Sequence, residues 1–176
     1  LISAVCGCMA QQTSVAEKIK KSYPYIDMVL GTQVFHRLPE FIYKRISGGK
    51  RLFENELPNE PIVEGIPVKR DGTFKGWLPI MYGCNNFCSY CIVPYLRGPE
   101  KYRDMEDVLD EVRKAADKGI TEVTLLGQTV NAYKTEGGNF ADLLTKVSEI
   151  EGIRRIRFTS PHPRHYTNEL IDVLLN

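Results

Sequence analysis

Gly83-Cys84-Asn85-Asn86-Phe87-Cys88-Ser89-Tyr90-Cys91 follows directly on the apolar run Trp77 to Tyr82 and sets three cysteines in the spacing C-x-x-x-C-x-x-C. Three thiols in eight residues cannot all pair as disulfides, and soft sulfur ligands at this spacing favour an iron-sulfur cluster or zinc over hard cations. A structural zinc site takes four protein ligands, and no His or further Cys lies near in sequence to be the fourth. A 4Fe-4S cluster held by Cys84, Cys88 and Cys91 would instead keep one iron open for a substrate or cofactor. Two alternatives stay open on spacing alone: zinc completed by Cys6 or Cys8, and inert buried thiols.

The chain outward from this loop is ordinary in bulk. Its 176 residues are 43% hydrophobic and 26% charged, with a formal net charge of +1. That suits a globular fold with one or two cores, and gives no general polyanion-binding signature. No apolar run reaches transmembrane length, and the N-terminus has no secretory signal pattern. Five cysteines, three of them clustered, point to a reducing, cytoplasmic setting in which thiols can bind metal. Opening on Leu1 inside an apparent strand and stopping at Asn176 inside an apparent helix, the chain reads as a fragment.

Upstream of the loop, Leu1 to Val5 reads as a buried strand running into Cys6-Gly7-Cys8-Met9-Ala10-Gln11. Ser14 to Glu17 fits a capping box for a helix ending before Pro24. Met28-Val29-Leu30 reads as a second strand. A second helix carries Pro39 at its start, Leu38, Phe41, Ile42 and Ile46 on one face, and Gly48-Gly49 at its end. This is the rhythm of a parallel α/β domain, whose ligand loops sit at strand C-termini. From Lys50 to Lys75, with Pro58, Pro61, Pro67 and Asp71-Gly72, the pattern is that of a linker with strand or hairpin character.

Downstream the α/β rhythm returns, starting with a strand over Trp77 to Tyr82 that delivers the cysteine loop at its C-terminal end. Asp104 reads as an N-cap for a helix with Val108, Leu109, Val112, Ala115 and Ala116 on one face and Gly119 as its stop. A strand over Glu122 to Leu126 leads to Gly127-Gln128-Thr129-Val130-Asn131-Ala132-Tyr133. A helix through Phe140, Leu143, Leu144, Val147 and Ile150 ends at Gly152. A strand over Arg155 to Thr159 leads to Ser160-Pro161-His162-Pro163, and Thr167 caps a last helix. Three βα units with distinctive residues at the strand ends suggest part of a TIM-like barrel. Gln128, Asn131, Tyr133 and His162 read equally as turn residues or as residues of a site.

The run Cys-Ser-Tyr-Cys-Ile-Val-Pro-Tyr-Leu-Arg-Gly-Pro-Glu, residues 88 to 100, resembles the cluster loop of radical S-adenosylmethionine (SAM) enzymes, and among them the methylthiotransferases. Leu-Leu-Gly-Gln-Thr-Val-Asn-Ala-Tyr resembles the second-strand motif of the tRNA members, and Phe-Thr-Ser-Pro-His-Pro their third-strand motif. Gly-Cys-Met-Ala-Gln resembles the third cysteine motif of the methylthiotransferase N-terminal domain. The resemblance covers almost the whole chain.

What the resemblance implies is specific. Residues 1–49 would be the C-terminal part of the methylthiotransferase N-terminal α/β domain, 50–75 a linker, and 76–176 the first half of a six-unit partial barrel. Cys84, Cys88 and Cys91 would hold the 4Fe-4S cluster whose open iron is chelated by SAM. One electron would then cleave SAM to a 5'-deoxyadenosyl radical. Tyr90, Gln128, Asn131 and His162 would lie near SAM, and Arg97 and Glu100 near the cluster or substrate. Cys8 would belong to a second 4Fe-4S cluster involved in sulfur donation, its other ligands lying upstream of Leu1, with Cys6 a structural thiol.

The implied reaction replaces the C2 hydrogen of a prenylated adenosine beside a tRNA anticodon with a methylthio group, with an electron donor such as flavodoxin. Members acting on threonylcarbamoyl-adenosine or on a ribosomal protein differ at the loop from Gln128 to Tyr133. A non-catalytic iron-sulfur or zinc module is the reading from another class. His36 and His165 match no family motif. Tyr102-Arg103 stands where the family usually shows Ser-Arg, and Thr129 where Asn is common; neither departure is expected to touch the cysteines.

Overall fold

The computed structural model describes residues 1–56, 62–66, 68 and 74–175. It is mixed α/β with parallel sheets and divides into two compact units, Leu1–Ile66 with Phe87–Gly98, and Pro67–Asn86 with Pro99–Asn176. Pro58, Pro61, Pro67 and Asp71-Gly72, the residues that mark the expected linker, lie outside the described residues.

The first unit is built on a parallel sheet of β1 (Ala4–Cys6), β2 (Met28–Leu30) and β3 (Leu52–Glu54), in that spatial order. Central β2 is wholly buried, as a parallel strand covered on both faces must be. Met28 and Leu30 pack with Val34 and Phe41 on one side, and Val29 packs with Ala10 and Ala16 on the other. These two clusters are lined by α2 (Leu38–Ile46) and α1 (Thr13–Ser22). Short α3 (Val93–Arg97) completes the unit. Three expectations change here. The first strand is exposed at Ala4 and Cys6, because it is an edge with a neighbour on one side only. Ser14 is not an N-cap: the helix already begins at Thr13, and Gln12 caps it with no side-chain bond. Ile46, the last residue of α2, is exposed.

In the second unit β4 (Lys75–Pro79), β7 (Glu122–Leu126) and β10 (Arg155–Phe158) form a parallel sheet with β7 in the middle. Between β4 and β7 in sequence lie β5 (Met81–Tyr82) and β6 (Lys101–Tyr102), paired antiparallel. The apolar run expected as one strand from Trp77 to Tyr82 is therefore two. The change of partner falls just after Pro79, the last residue paired with β7. Ile80 then donates its N–H to Leu126 O at 2.9 Å and accepts from Arg103 N at 3.0 Å, which turns the chain from β7 toward β6.

Register makes the sheet two-faced. Leu78, Val123 and Leu125 pack against α4 (Met105–Ala116) and α5 (Phe140–Ser148), through Val108, Leu109, Val112, Leu143, Leu144 and Val147. The opposite face carries an ion cluster: buried Glu122 meets Arg157 at 3.0 Å, Arg155 at 3.2 Å and Lys75 at 3.7 Å. Three cations around one buried carboxylate offset its desolvation.

Helix ends follow their caps. Asp104 accepts from Glu106 N at 2.9 Å, as its sequence context predicts. A small hairpin of β8 (Lys134–Thr135) and β9 (Gly138–Asn139) precedes α5. It brings Asn139 to a full capping box with Asp142. Thr167 Oγ1 accepts from Leu170 N at 3.2 Å at the start of α6 (Asn168–Leu175).

Asn139 accepts from both Ala141 N and Asp142 N. Asn139→Ala should therefore cost about 1 kcal/mol, read as a lower urea midpoint at unchanged slope; an unchanged midpoint would rule the cap out as a stabilising contact.

Candidate metal and cofactor site

Parallel pairing of β4 on β7, Lys75↔Glu122 through Pro79↔Leu126, sends both strands out of the sheet at the same end. The loop that starts with Gly83 and the loop that starts with Gly127 are thereby neighbours. Gly127 is needed there, because a Cβ on it would come within 2.4 Å of Met81 Cγ. Gln128 Oε1 accepts from Gly83 N at 2.8 Å, tying the second loop to the start of the first.

Cys84 is buried, and its sulfur is met by polar groups. Thr129 Oγ1 lies 3.0 Å from Sγ, while Asn86 approaches it with Nδ2 at 3.4 Å and its backbone N at 3.5 Å. Thr129 is itself buried, so the expectation that it stands away from the cysteines is wrong. Its position two residues past Gly127 placed it in the exit loop, but only the parallel register sets it against Cys84.

Asn85 and Glu100 clamp each other. Glu100 Oε1 accepts from Asn85 N at 3.0 Å, Oε2 lies 3.4 Å from Asn85 Nδ2, and Glu100 N donates to Asn85 Oδ1 at 3.2 Å. Tyr102 Oη donates to Glu100 Oε2 at 2.7 Å. Burial, then the Glu100 carboxylate that accepts its hydrogen bond, pushes the Tyr102 phenol well above the usual range. Arg103 is buried, with Nη1 2.8 Å from both Pro79 O and Glu111 Oε2. It is a structural residue of this unit.

Asn131 and His162 are also brought together: Asn131 Nδ2 donates to His162 O at 2.9 Å and Asn131 Oδ1 accepts from His162 N at 2.8 Å. This two-bond clamp joins the exit loops of β7 and β10, so a buried amide of Asn131 orders the backbone around His162. Ser160, in the same loop, is held at φ 57, a strained conformation of the kind that concentrates at functional sites. His165 Nε2 lies 3.3 Å from Asn86 Oδ1.

Cys88 and Cys91 belong to the first unit, both half-buried, in a turn closed by Cys91 N to Cys88 O at 2.9 Å. Tyr90 between them is 91% exposed. Phe87, at φ 46, packs edge to face on Tyr95. Arg97 O accepts from Gln33 Nε2 at 3.0 Å, which ties α3 to the loop after β2. None of the five cysteines is in a disulfide. Among the described residues no three His, Cys, Asp or Glu side chains are gathered at metal-holding distance.

Cys8 is half-buried on a 3-10 turn, Cys8–Gln11, at the exit of β1. Gln11, a residue with no expected role, straps that turn across the sheet. Its Oε1 accepts from Thr32 N at 3.0 Å, its Nε2 donates to Asn55 O, and Gly31 leaves the space the amide occupies. The bare amide gave no signal in sequence; its neighbour Cys8 was the only pointer to it.

The family model for the radical SAM superfamily matches residues 78–176. The chain belongs to the radical SAM superfamily. It is also similar to curated proteins called tRNA-2-methylthio-N(6)-dimethylallyladenosine synthase. The protein of that name from Desulforamulus reducens is 46% identical over 99% of this chain. Those from Lachnoclostridium phytofermentans and Clostridium tetani are 48% and 47% identical over 98% and 97% of it. The chain spans 39% of the length of the first two and 38% of the third. Within this radical SAM chain, no described helix is long and apolar enough to cross a membrane.

Tyr133 closes the second exit loop with its hydroxyl donating to Arg103 O at 2.8 Å, and burial pushes its phenol up to about 12. The unfolded chain ionises a tyrosine near pH ~10, so the Tyr133 contribution to stability is complete below that pH. It should be lost as pH rises from about 10 to about 12. Urea unfolding across that range should show the decline, and Tyr133→Phe should flatten it while costing about 1 kcal/mol near neutrality. A slope equal in both proteins would contradict this.

Proposed function

We propose that this chain is part of a radical SAM tRNA methylthiotransferase that adds a methylthio group to C2 of an N6-prenylated adenosine beside the anticodon. The observation that carries the reading is the 46% to 48% identity with proteins of that name, extending over 98% to 99% of the chain. That span takes in the Cys8 turn as well as the cysteine loop. In this reading residues 1–49 are the end of the N-terminal α/β domain, 50–75 a linker, and 76–176 the first half of a partial barrel. The setting is cytoplasmic and the electron comes from a donor such as flavodoxin.

The chemistry of the donor set suits a 4Fe-4S cluster. Cys84, Cys88 and Cys91 offer three soft sulfur ligands and leave a fourth position for SAM. The Cys84 sulfur faces N–H and O–H groups, an arrangement that suits a deprotonated sulfur, which can only accept. When bound, such a cluster supplies the single electron that cleaves SAM and so generates a radical able to take hydrogen from an unreactive carbon.

The chain's own residues have narrower tasks. Gln128 and Asn131, by accepting from Gly83 N and His162 N, hold the exit loops in the conformation that would line the SAM amino acid moiety. Tyr90 offers an exposed ring next to Cys91 for the cofactor. Glu100 holds the backbone at Asn85, one residue past Cys84, and Arg97 carries positive charge to the end of α3. Cys8 supplies one thiol of the second cluster, and Gln11 keeps its turn in place.

Two half reactions at separate sulfur sites can be told apart in the full-length protein, reconstituted anaerobically. Cys88→Ala should lose cluster iron and give neither 5'-deoxyadenosine nor modified tRNA. Cys8→Ala should still cleave SAM to 5'-deoxyadenosine and give no methylthiolated tRNA. Stoichiometric zinc with no iron in the wild type, or normal methylthiolation by Cys8→Ala, would overturn the reading. Turnover on threonylcarbamoyl-adenosine tRNA or a ribosomal protein, with none on prenylated tRNA, would move the substrate to another branch of the family.

A further inference from the structure

Cys84 is buried where Cys88 and Cys91 are half-buried, and hydrogen-bond donors from residues that are not ligands themselves meet its sulfur. Thr129 Oγ1 is 3.0 Å from Sγ, and Asn86 contributes Nδ2 at 3.4 Å and backbone N at 3.5 Å. The same Nδ2 lies 3.3 Å from Thr129 Oγ1. These contacts have one consistent assignment when the sulfur is a metal ligand. A thiolate has no proton to give, so the single Thr129 hydroxyl hydrogen points at Sγ. Its oxygen is then free to accept one Asn86 Nδ2 hydrogen, and the second Nδ2 hydrogen points at Sγ. His165 completes the arrangement: with its proton on Nε2 it donates to Asn86 Oδ1 at 3.3 Å, which turns the Nδ2 side of the amide toward Thr129 and Cys84.

We propose that Thr129 and Asn86 are positioning residues that set the reduction potential of the cluster through Cys84. The inference rests on the proposed ligation of that cluster by Cys84, Cys88 and Cys91. Reduction by one electron adds negative charge that is shared with the cysteine sulfurs. Donors aimed at a sulfur stabilise the reduced form more than the oxidised form, and raise the potential. Burial strengthens the effect, because the dipoles act in a medium of low dielectric and Thr129 is only 1% exposed. Thr129 is held for this by its place after β7: its carbonyl accepts from Ala132 N at 2.9 Å, closing the 3-10 turn Val130–Ala132. The hydroxyl is therefore presented by a rigid loop and not by a mobile side chain.

The test uses the full-length protein with Cys8→Ala as its background, which removes the second cluster, anaerobically reconstituted and titrated with dithionite as the one-electron donor, with the one remaining reduced cluster followed by electron paramagnetic resonance; wild type here denotes this background. Thr129→Val keeps the shape of the side chain and removes the hydroxyl. It should load as much iron as wild type, with a midpoint potential shifted to a more negative value. Thr129→Ser should restore the wild-type potential, and Asn86→Ala should shift it in the same direction as Thr129→Val. A merely structural role for Thr129 would lower iron loading or thermal stability and leave the potential of the loaded fraction where it was; that result overturns the inference while leaving the proposed function standing. If Thr129→Val fails to fold, Asn86→Ala alone decides, and an unshifted potential there overturns the inference. A wild type that loads no iron overturns the proposed function and this inference with it.

Discussion

Parallel pairing of β4 with β7 is the constraint on which the site depends. Two parallel strands in register must leave the sheet at the same end, so the loop after each is delivered beside the other. Here the pairing runs Lys75↔Glu122 to Pro79↔Leu126, and the cysteine loop and the Gln128–Tyr133 loop emerge together. The bonds from Gly83 to Gln128 and from Cys84 to Thr129 are short-range in space and long-range in sequence. Neither could form in an antiparallel arrangement of the same strands, which would put the loops at opposite ends.

Energetically the second unit is organised to hold that register. The apolar side of the sheet is packed by α4 and α5, and a one-residue slip of β7 would move Val123 and Leu125 out of the core and bring Thr124 in. The opposite side adds a second penalty, since a slip would take Glu122 away from Arg155 and Arg157 and leave a buried carboxylate without its cations. The site thus inherits its geometry from two independent sources of register, one apolar and one ionic.

Both units use the same device at strand ends: a side-chain amide spans two exit loops. Gln11 joins the Cys8 turn to Thr32 and Asn55, Gln128 joins Gly83 to the β7 exit, and Asn131 joins that exit to His162. An amide carries a donor and an acceptor, so one side chain can satisfy backbone groups of two loops that lack regular partners. Such straps order loops without adding charge next to a candidate metal site.

The alternation of strands and helices, the Asp104 and Thr167 caps and the three thiols of the cysteine loop were all legible in the sequence. These are local properties, set by periodicity, turn chemistry and spacing within a few residues. The sequence did not disclose that the run from Trp77 to Tyr82 is two strands, that the first strand is an exposed edge, or that Asn139 begins α5 with a capping box. Nor did it show that Thr129 touches Cys84, or that Gln11, Glu100 and Asn131 act as clamps. Each of those depends on which strands become neighbours and in what register, and contacts such as Cys84 to Thr129 join residues 45 apart in the chain. Only the tertiary structure, by choosing the parallel register, decided which exit loop stands against which.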